Sequence, residues 1–275
     1  RDYTTNTYVI TNNFKNAKQN TDDAHKAFLP RMWSNEHNVN YMTFGNPLEF
    51  QINPEYSNED ELIQIVTEFR KGFASGEIDL KGYDKFLTTY GEYLIIEKPS
   101  FASNMKFMFQ YQFGYMYGRY LLWNFVGRQN DNQGKYDDMN GNWITGIGFI
   151  DELLVGSQKN LTSDMKNNKG RNVYFGLPFI LALLGIFYHA KKDVKSFYVL
   201  LALFLFTGLA LKIYLNERPF EPRERDYALV GSFYVFAMWI AFGIYAIFEW
   251  LINYIKPKVA IPLVLCVCFL ASPVL

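Results

Sequence analysis

The alternation of apolar and polar positions divides this chain into two unlike parts. Late in the sequence four apolar runs follow one another: Val173 to Tyr188, Phe197 to Tyr214, Leu229 to Tyr254, and a last run that begins near Val259. A helix rises about 1.5 Å per residue, so ~20 residues cross the ~30 Å hydrocarbon layer of a bilayer. The second and third runs have that length, and the first is extended by Asn172 and His189 at its rims. A buried helix of a soluble protein keeps a polar face, whereas Leu200-Leu201-Ala202-Leu203-Phe204-Leu205-Phe206 has none. The pattern therefore predicts four membrane helices.

The earlier part is polar, rich in Asn and in aromatic residues. That aromatic content argues for a packed structure, because solvating tails lack it. From Asn58 the chain offers a cap, an acidic first turn and apolar residues at helical spacing, which predicts a helix over 58–75 that Gly76 ends. A short helix and a strand are expected over 79–97, with Tyr93-Leu94-Ile95-Ile96 as the apolar part of the strand. Residues 1–57 carry only short signals. The stretch 103–126 is aromatic on nearly every side and is interrupted by Lys106, Gln110, Gln112 and Arg119. It reads as an interfacial helix against the outer leaflet, with a fifth spanning helix as the alternative. Three segments result: a soluble segment over 1–100, the aromatic helix and a polar loop over 101–171, and the membrane region over 172–275.

Charge orients these segments. Lys191, Lys192 and Lys195 lie between the first two apolar runs, and Lys256 and Lys258 between the last two. Short Lys-rich links mark the cytoplasmic side. Residues 1–171 and the loop 215–228 then share the other face, the periplasm in a bacterium. Lys166, Lys169 and Arg171 precede the first run and pull the other way. The chain carries 27 basic and 27 acidic side chains, a net charge of zero that excludes bulk nucleic-acid binding. It starts with Arg and stops within an apolar run, which reads as an internal piece of a longer protein.

Several kinds of chemistry find no support in the residues. Cys266 and Cys268 are two apart in an apolar segment with no His nearby, and read as small apolar fillers. His25, His37 and His189 form no metal-ligand pattern, so neither a metal nor another cofactor is expected. There is no phosphate-binding glycine loop, dinucleotide fingerprint or nucleophile elbow. Asp151 and Glu152 are adjacent carboxylates that point apart on a helix and read as a surface pair.

Two constellations remain. Asn216 to Tyr227 is a charged loop between two apolar runs, stiffened by Pro219 and Pro222. Arg223 and Arg225 carry forked donors that match phosphate oxygens. The same loop also reads as a salt-bridged anchor, with Glu217, Glu221, Glu224 and Asp226 neutralising the arginines. The second constellation, Trp123 to Gly134, is rich in donors and acceptors and bracketed by Gly127 and Gly134. Arg128, Asn130 and Asp131 are its candidates for sugar or acceptor-peptide contacts, against the alternative of an ordinary turn cluster.

Three stretches also carry a family resemblance: Arg119-Tyr120-Leu121-Leu122-Trp123-Asn124-Phe125-Val126-Gly127-Arg128-Gln129-Asn130-Asp131, Gly141-Asn142-Trp143-Ile144-Thr145-Gly146-Ile147, and Pro222-Arg223-Glu224-Arg225-Asp226-Tyr227-Ala228-Leu229-Val230-Gly231-Ser232-Phe233-Tyr234. Together they resemble a Bacteroidota membrane family designated domain of unknown function 2723. That family is similar to the eukaryotic transmembrane protein O-mannosyltransferases. The resemblance spans most of residues 100–275.

It implies an α-helical polytopic membrane protein of GT-C type, with an extracytoplasmic, mainly helical segment before the membrane helices. The implied activity is hexosyl transfer from a polyprenyl-phosphate sugar to Ser or Thr of exported proteins, at a bacterial inner membrane. Arg223 and Arg225 would then hold the lipid phosphate, and Arg128, Asn130 and Asp131 the sugar or acceptor. The catalytic carboxylate is expected outside this chain, with Asp226 and Glu224 as the nearest candidates inside it. A non-catalytic scaffold or export component that binds periplasmic partners is the alternative from another class.

Overall fold

Residues 2–8, 33, 35–217 and 226–271 are described by a computed structural model of the chain. Among them helices dominate, joined by two small antiparallel sheets.

The first helices follow their local signals. Helix α1 (Asn38–Phe44) leads into strand β1 (Phe50–Ile52). Helix α2 (Asp60–Ser75) opens with Asp60 and Glu61, which favour the positive end of the helix dipole, and closes on Gly76 in the left-handed region at φ 82°. Helix α3 (Leu80–Thr89) is capped by Asp79, whose carboxylate accepts from the Gly82 amide at 2.8 Å. Strand β2 (Leu94–Ile96) then pairs antiparallel with β1, Phe50 opposite Ile96. These elements enclose an aromatic core in which Phe69 and Phe86 stack at 3.7 Å between ring centres, with Phe44, Leu62, Val66 and Leu87 around them.

The aromatic stretch forms one continuous helical rod, α4, from three successive segments: Phe101–Phe107, Met108–Arg119 and Tyr120–Phe125. Its middle twelve residues are wound as a π-helix, with hydrogen bonds one residue longer than in an α-helix. Phe107, Tyr111 and Tyr115 belong to the first core, whereas Tyr117, Tyr120 and Leu121 belong to a second one. Aromatic residues surround the rod because two separate cores claim it at two levels. It lies alongside the later helices: Tyr111 bonds Glu217, Gln112 bonds Asn216, and Tyr117 sits against Phe204. As its residue numbers climb, those of its partners fall, so the two run antiparallel.

A polar loop follows, built on strand β3 (Gly127–Arg128), helix α5 (Gly148–Val155), helix α6 (Ser163–Lys166) and strand β4 (Asn172–Val173). Strand β3 pairs with β4, and Arg128 also bridges to Trp143. Gly127, at φ 154°, is squeezed between the carbonyls of Ile144 and Asn172, where a side chain has no room.

The apolar part holds α7 (Leu177–Lys192), α8 (Val194–Leu205, a π-wound Phe206–Ala210, then Leu211–Leu215), α9 (Asp226–Leu251) and α10 (Pro257–Ala271). Among the described residues two helices, Val194–Leu215 and Tyr227–Leu251, are long and apolar enough to cross a membrane. That is two where the sequence pattern predicted four. Helix α7 has sixteen residues, because β4 and the left-handed Gly176 take the start of the first run. Helix α10 has fifteen.

Only 11% of the first long stretch and 28% of the second is buried. A helix from the core of a soluble protein would be mostly covered. Val199, Leu203, Phe206, Val230 and Tyr234 are instead exposed, which is the surface expected of helices that face lipid.

Helices α7 and α9 cross in close contact. A Cβ on Gly185 would collide with the Trp239 backbone, and one on Gly243 with that of Leu181. Further along, Tyr188 meets Tyr245, and Lys192 meets Glu249 at 2.7 Å. Residue numbers rise together on the two helices, so they are parallel. Helix α8 runs the other way between them, as Phe204 beside Phe236 and Gly208 beside Ser232 show.

Candidate functional site

The loop after β3 is shaped by its own amides. The Gln129 side chain donates to the Asp138 carbonyl at 2.7 Å, and the Asn130 side chain to the Met139 carbonyl at 2.7 Å. The Asn130 side-chain oxygen accepts from the Gly141 amide at 2.8 Å, and its backbone carbonyl accepts from the Trp123 indole at 3.0 Å. Asn142 donates to Gln129 Oε1 at 3.0 Å and to the Asp137 carbonyl at 2.7 Å. Such a clamp folds residues 136–143 back over α4. Arg119, buried in α4, reaches the Gly141 carbonyl from the other side and stacks on Tyr115 at 4.7 Å.

Between α4 and this folded loop lies a cleft of about 710 Å³. Gln110, Gly114, Gly118, Arg119 and Leu122 form one wall, and Tyr136, Asp137, Asp138, Asn142 and Trp143 the other. Leu154 and Val155 of α5 close an end. The two glycines leave the α4 side open to approach. The size suits a monosaccharide or a few residues of peptide, since ligand sites run to ~300–1,000 Å³.

The two carboxylates differ. Burial works to raise the Asp137 pKa, but hydrogen bonds from the Asn140 side chain and from the amides of Met139 and Asn140, helped by Lys135, hold it below the usual carboxylate range. Asp137 therefore serves the turn. Asp138 is exposed, and only its backbone carbonyl is used by the clamp. Its carboxylate is available to a ligand.

The residues singled out in the sequence fall elsewhere. Arg128 lies over the Trp123 ring at 3.9 Å and donates to Asn124 at 3.2 Å. Asn130 is buried and its side chain is spent on the clamp. Asp131 is exposed and packs against Gly170. None of the three lines the cleft; the first two shape the loop that does. Arg223, Glu224 and Arg225 lie outside the described residues, as does the side chain of Asp226.

Asp151 corrects an expectation: it is buried, not a surface carboxylate. Its oxygens accept from the Thr145 amide and hydroxyl at 2.6 and 2.8 Å and from the Gly146 amide at 2.8 Å. It thereby ties α5 to the turn before it, while Glu152 beside it is exposed.

Where α8 ends, Lys212 and Glu217 form an ion pair with both side chains buried. Asn216, left-handed at φ 39°, turns the chain there. Tyr111 donates to the Glu217 carbonyl at 2.6 Å and Gln112 to Asn216 Oδ1 at 2.9 Å. Helix α8 thus ends against α4, at Asn216 and Glu217.

Sequence reasoning missed Asp138, Tyr136 and Arg119 as a group. The available signal was the pair Asp137-Asp138 set between Tyr136 and Trp143 in a stretch dense with Asn and Gly. Among the described residues no cluster of His, Cys, Asp and Glu is arranged to hold a metal ion.

Residues 1–109 match a family model described as a family of unknown function (DUF8416). That stretch includes most of the first aromatic core and the start of α4, and ends one residue before the first residue of the cleft. No curated protein and no solved structure matches the chain.

Proposed function

We propose that this chain is part of a membrane glycosyltransferase of GT-C type, and that the cleft between α4 and the folded loop receives the sugar or the acceptor segment. The observation that carries this reading is the lining itself. Tyr136 and Trp143 offer faces for a sugar ring or a peptide, Asp138 offers a carboxylate, Gln110 an amide and Asn142 its amide oxygen. A few placed polar groups among aromatic ones is the usual make-up of a small-ligand site. The donor in this proposal is a polyprenyl-phosphate sugar held through Arg223 and Arg225, with exported proteins as acceptors. The catalytic carboxylate lies outside the chain or at Glu224 or Asp226, and the setting is a bacterial inner membrane with the polar part in the periplasm.

The test is made on the full-length gene. Trp143→Ala and Asp138→Asn are expected to lower hexose occupancy at Ser and Thr of periplasmic proteins at least ~10-fold by mass spectrometry, the size of effect that loss of one or two good ligand contacts produces. An unchanged glycan profile in both variants, with the protein folded, sinks the cleft assignment. An unchanged profile in the gene deletion sinks the transferase and leaves the scaffold reading, in which the same cleft holds a partner's peptide.

A further inference from the structure

Helix α5 (Gly148–Val155) turns apolar residues to the outside. Phe149 is 70% exposed and Leu153 86%, one turn apart on the same face. Leu154 and Ile147, at 42% and 38%, widen that surface. The buried side of the helix is small: Asp151, bound to the turn at Thr145 and Gly146, and Val155. An isolated eight-residue helix is not stable in water. Here it is pinned by the Asp151 carboxylate, and its apolar side is held away from the rest of the protein.

Three observations say what covers it. First, the turn that starts α5 touches the segment that starts α7: a Cβ on Gly146 would meet Val173 and the Phe175 ring. Second, the surface continues there, since Phe175, Leu177 and Ile180 are also exposed and lead onto the outward face of α7. Third, Lys159, Lys166 and Lys169 follow α5 and are exposed, and long cationic side chains of this kind reach the headgroup level while their stems cover apolar surface.

We infer that α5 is an amphipathic interfacial helix whose Phe149 and Leu153 face enters the headgroup and acyl boundary of the bilayer on the polar part's side, where α7 begins. The sequence pattern assigned an interfacial role to residues 103–126; the eight residues of α5 offer a further exposed apolar face. Since Leu154 and Val155 also line the cleft, one wall of the ligand site rests on the lipid surface. This inference rests on the reading that the apolar helices cross a bilayer.

The experiment separates the two. In a background with Cys266→Ala and Cys268→Ala, single cysteines at Leu153, Glu152 and Leu203 are labelled with an environment-sensitive dye. The protein is then placed in phosphatidylcholine vesicles whose acyl chains are brominated near the headgroup. Labels at 153 and 203 are expected to be quenched at least ~3-fold more than the label at 152, because Glu152 sits ~100° around the helix from Leu153. Quenching at 203 with 153 no different from 152 overturns the inference and leaves the membrane reading intact. No quenching at 153 or 203 overturns both. A label at 153 that is shielded from aqueous iodide yet untouched by brominated lipid places a protein surface there, a second copy or a partner, and also overturns it.

Discussion

The polar part and the apolar helices are built from similar aliphatic and aromatic residues turned in opposite directions. In α2, Leu62, Val66 and Phe69 are buried, and the acidic residues of its first turn, Asp60 and Glu61, are outside. In the Val194–Leu205 segment of α8 no residue is fully buried, and Tyr198, Val199 and Leu203 are exposed. Leu62 is 5% exposed and Leu203 47%. Such a difference reports the solvent and not the residue type: water drives the first set inward, whereas lipid tails impose no such direction and leave close packing and polar contacts to hold helices together. The apolar part duly shows both, in the glycine contact of α7 with α9 and in the bond between Tyr117 and Ser232.

The most disruptive way to probe the contrast is at the junction. Lys212→Met leaves Glu217 buried without its ammonium partner, and removal of one half of a buried pair costs ~3–5 kcal/mol. Thermal unfolding of the purified protein should show that loss, and the double variant Lys212→Met/Glu217→Leu should recover most of it. A single variant as stable as the parent would mean the pair does not hold the two parts together.

Next comes the same truncation made in both regions. Leu87→Ala, in the aqueous core and 1% exposed, should cost ~2–5 kcal/mol. Leu203→Ala on the outward face of α8 should cost under ~1 kcal/mol in lipid, because the space it leaves fills with acyl chain. Equal costs would erase the distinction. Leu203→Asp should instead oppose insertion by ~3 kcal/mol, read from the fraction integrated into membranes.

A smaller effect belongs to the helix crossing. Gly185→Ala must push the Trp239 backbone away, and overpacking of this kind costs ~1–3 kcal/mol. Helix–helix crosslinking yield between α7 and α9 should fall with it.

The smallest effect is confined to the polar part. Asp137 has its pKa lowered in the folded state, so its contribution is fully present above the ordinary carboxylate value and is lost as pH falls through the lowered folded value. Tryptophan fluorescence from the Trp143 region should loosen over that acid range. In Asp137→Asn this acid-dependent step should be absent, and its persistence would assign the step to another group.

Legibility in the sequence followed the range of the forces. Helix α2 was readable because its acidic turn, spacing and terminal Gly76 are all local, although the cap expected at Asn58 is not made: Glu59 holds the N-cap position without a side-chain bond. The long apolar helices were readable because length and composition alone define them. Strand β1 was not, since three residues show no period and their partner β2 lies past two helices. Within the site, the residues chosen in the Asn- and Gln-rich stretch do not line the cleft, and their neighbours do. Asn130 is spent on the clamp that carries Asp138 and Trp143 to Gln110, Gly114 and Gly118, and no spacing reveals a contact that a fold across two dozen residues creates. The aromatic density of α4 was visible, whereas its cause, a claim on it by two cores, was not.

The π-wound middle of α4 acts as a crankshaft between those cores. Each residue added to a helix advances its azimuth by ~100°, and the looser winding of these twelve residues sets how far the Tyr120 side is turned from the Tyr111 side. Deletion of a single exposed residue such as Gly114 would leave the upstream grip of Tyr111 on Phe44 in place. Its damage would appear a full rod away, where Tyr120 and Phe125 would swing off Phe233 and Phe236.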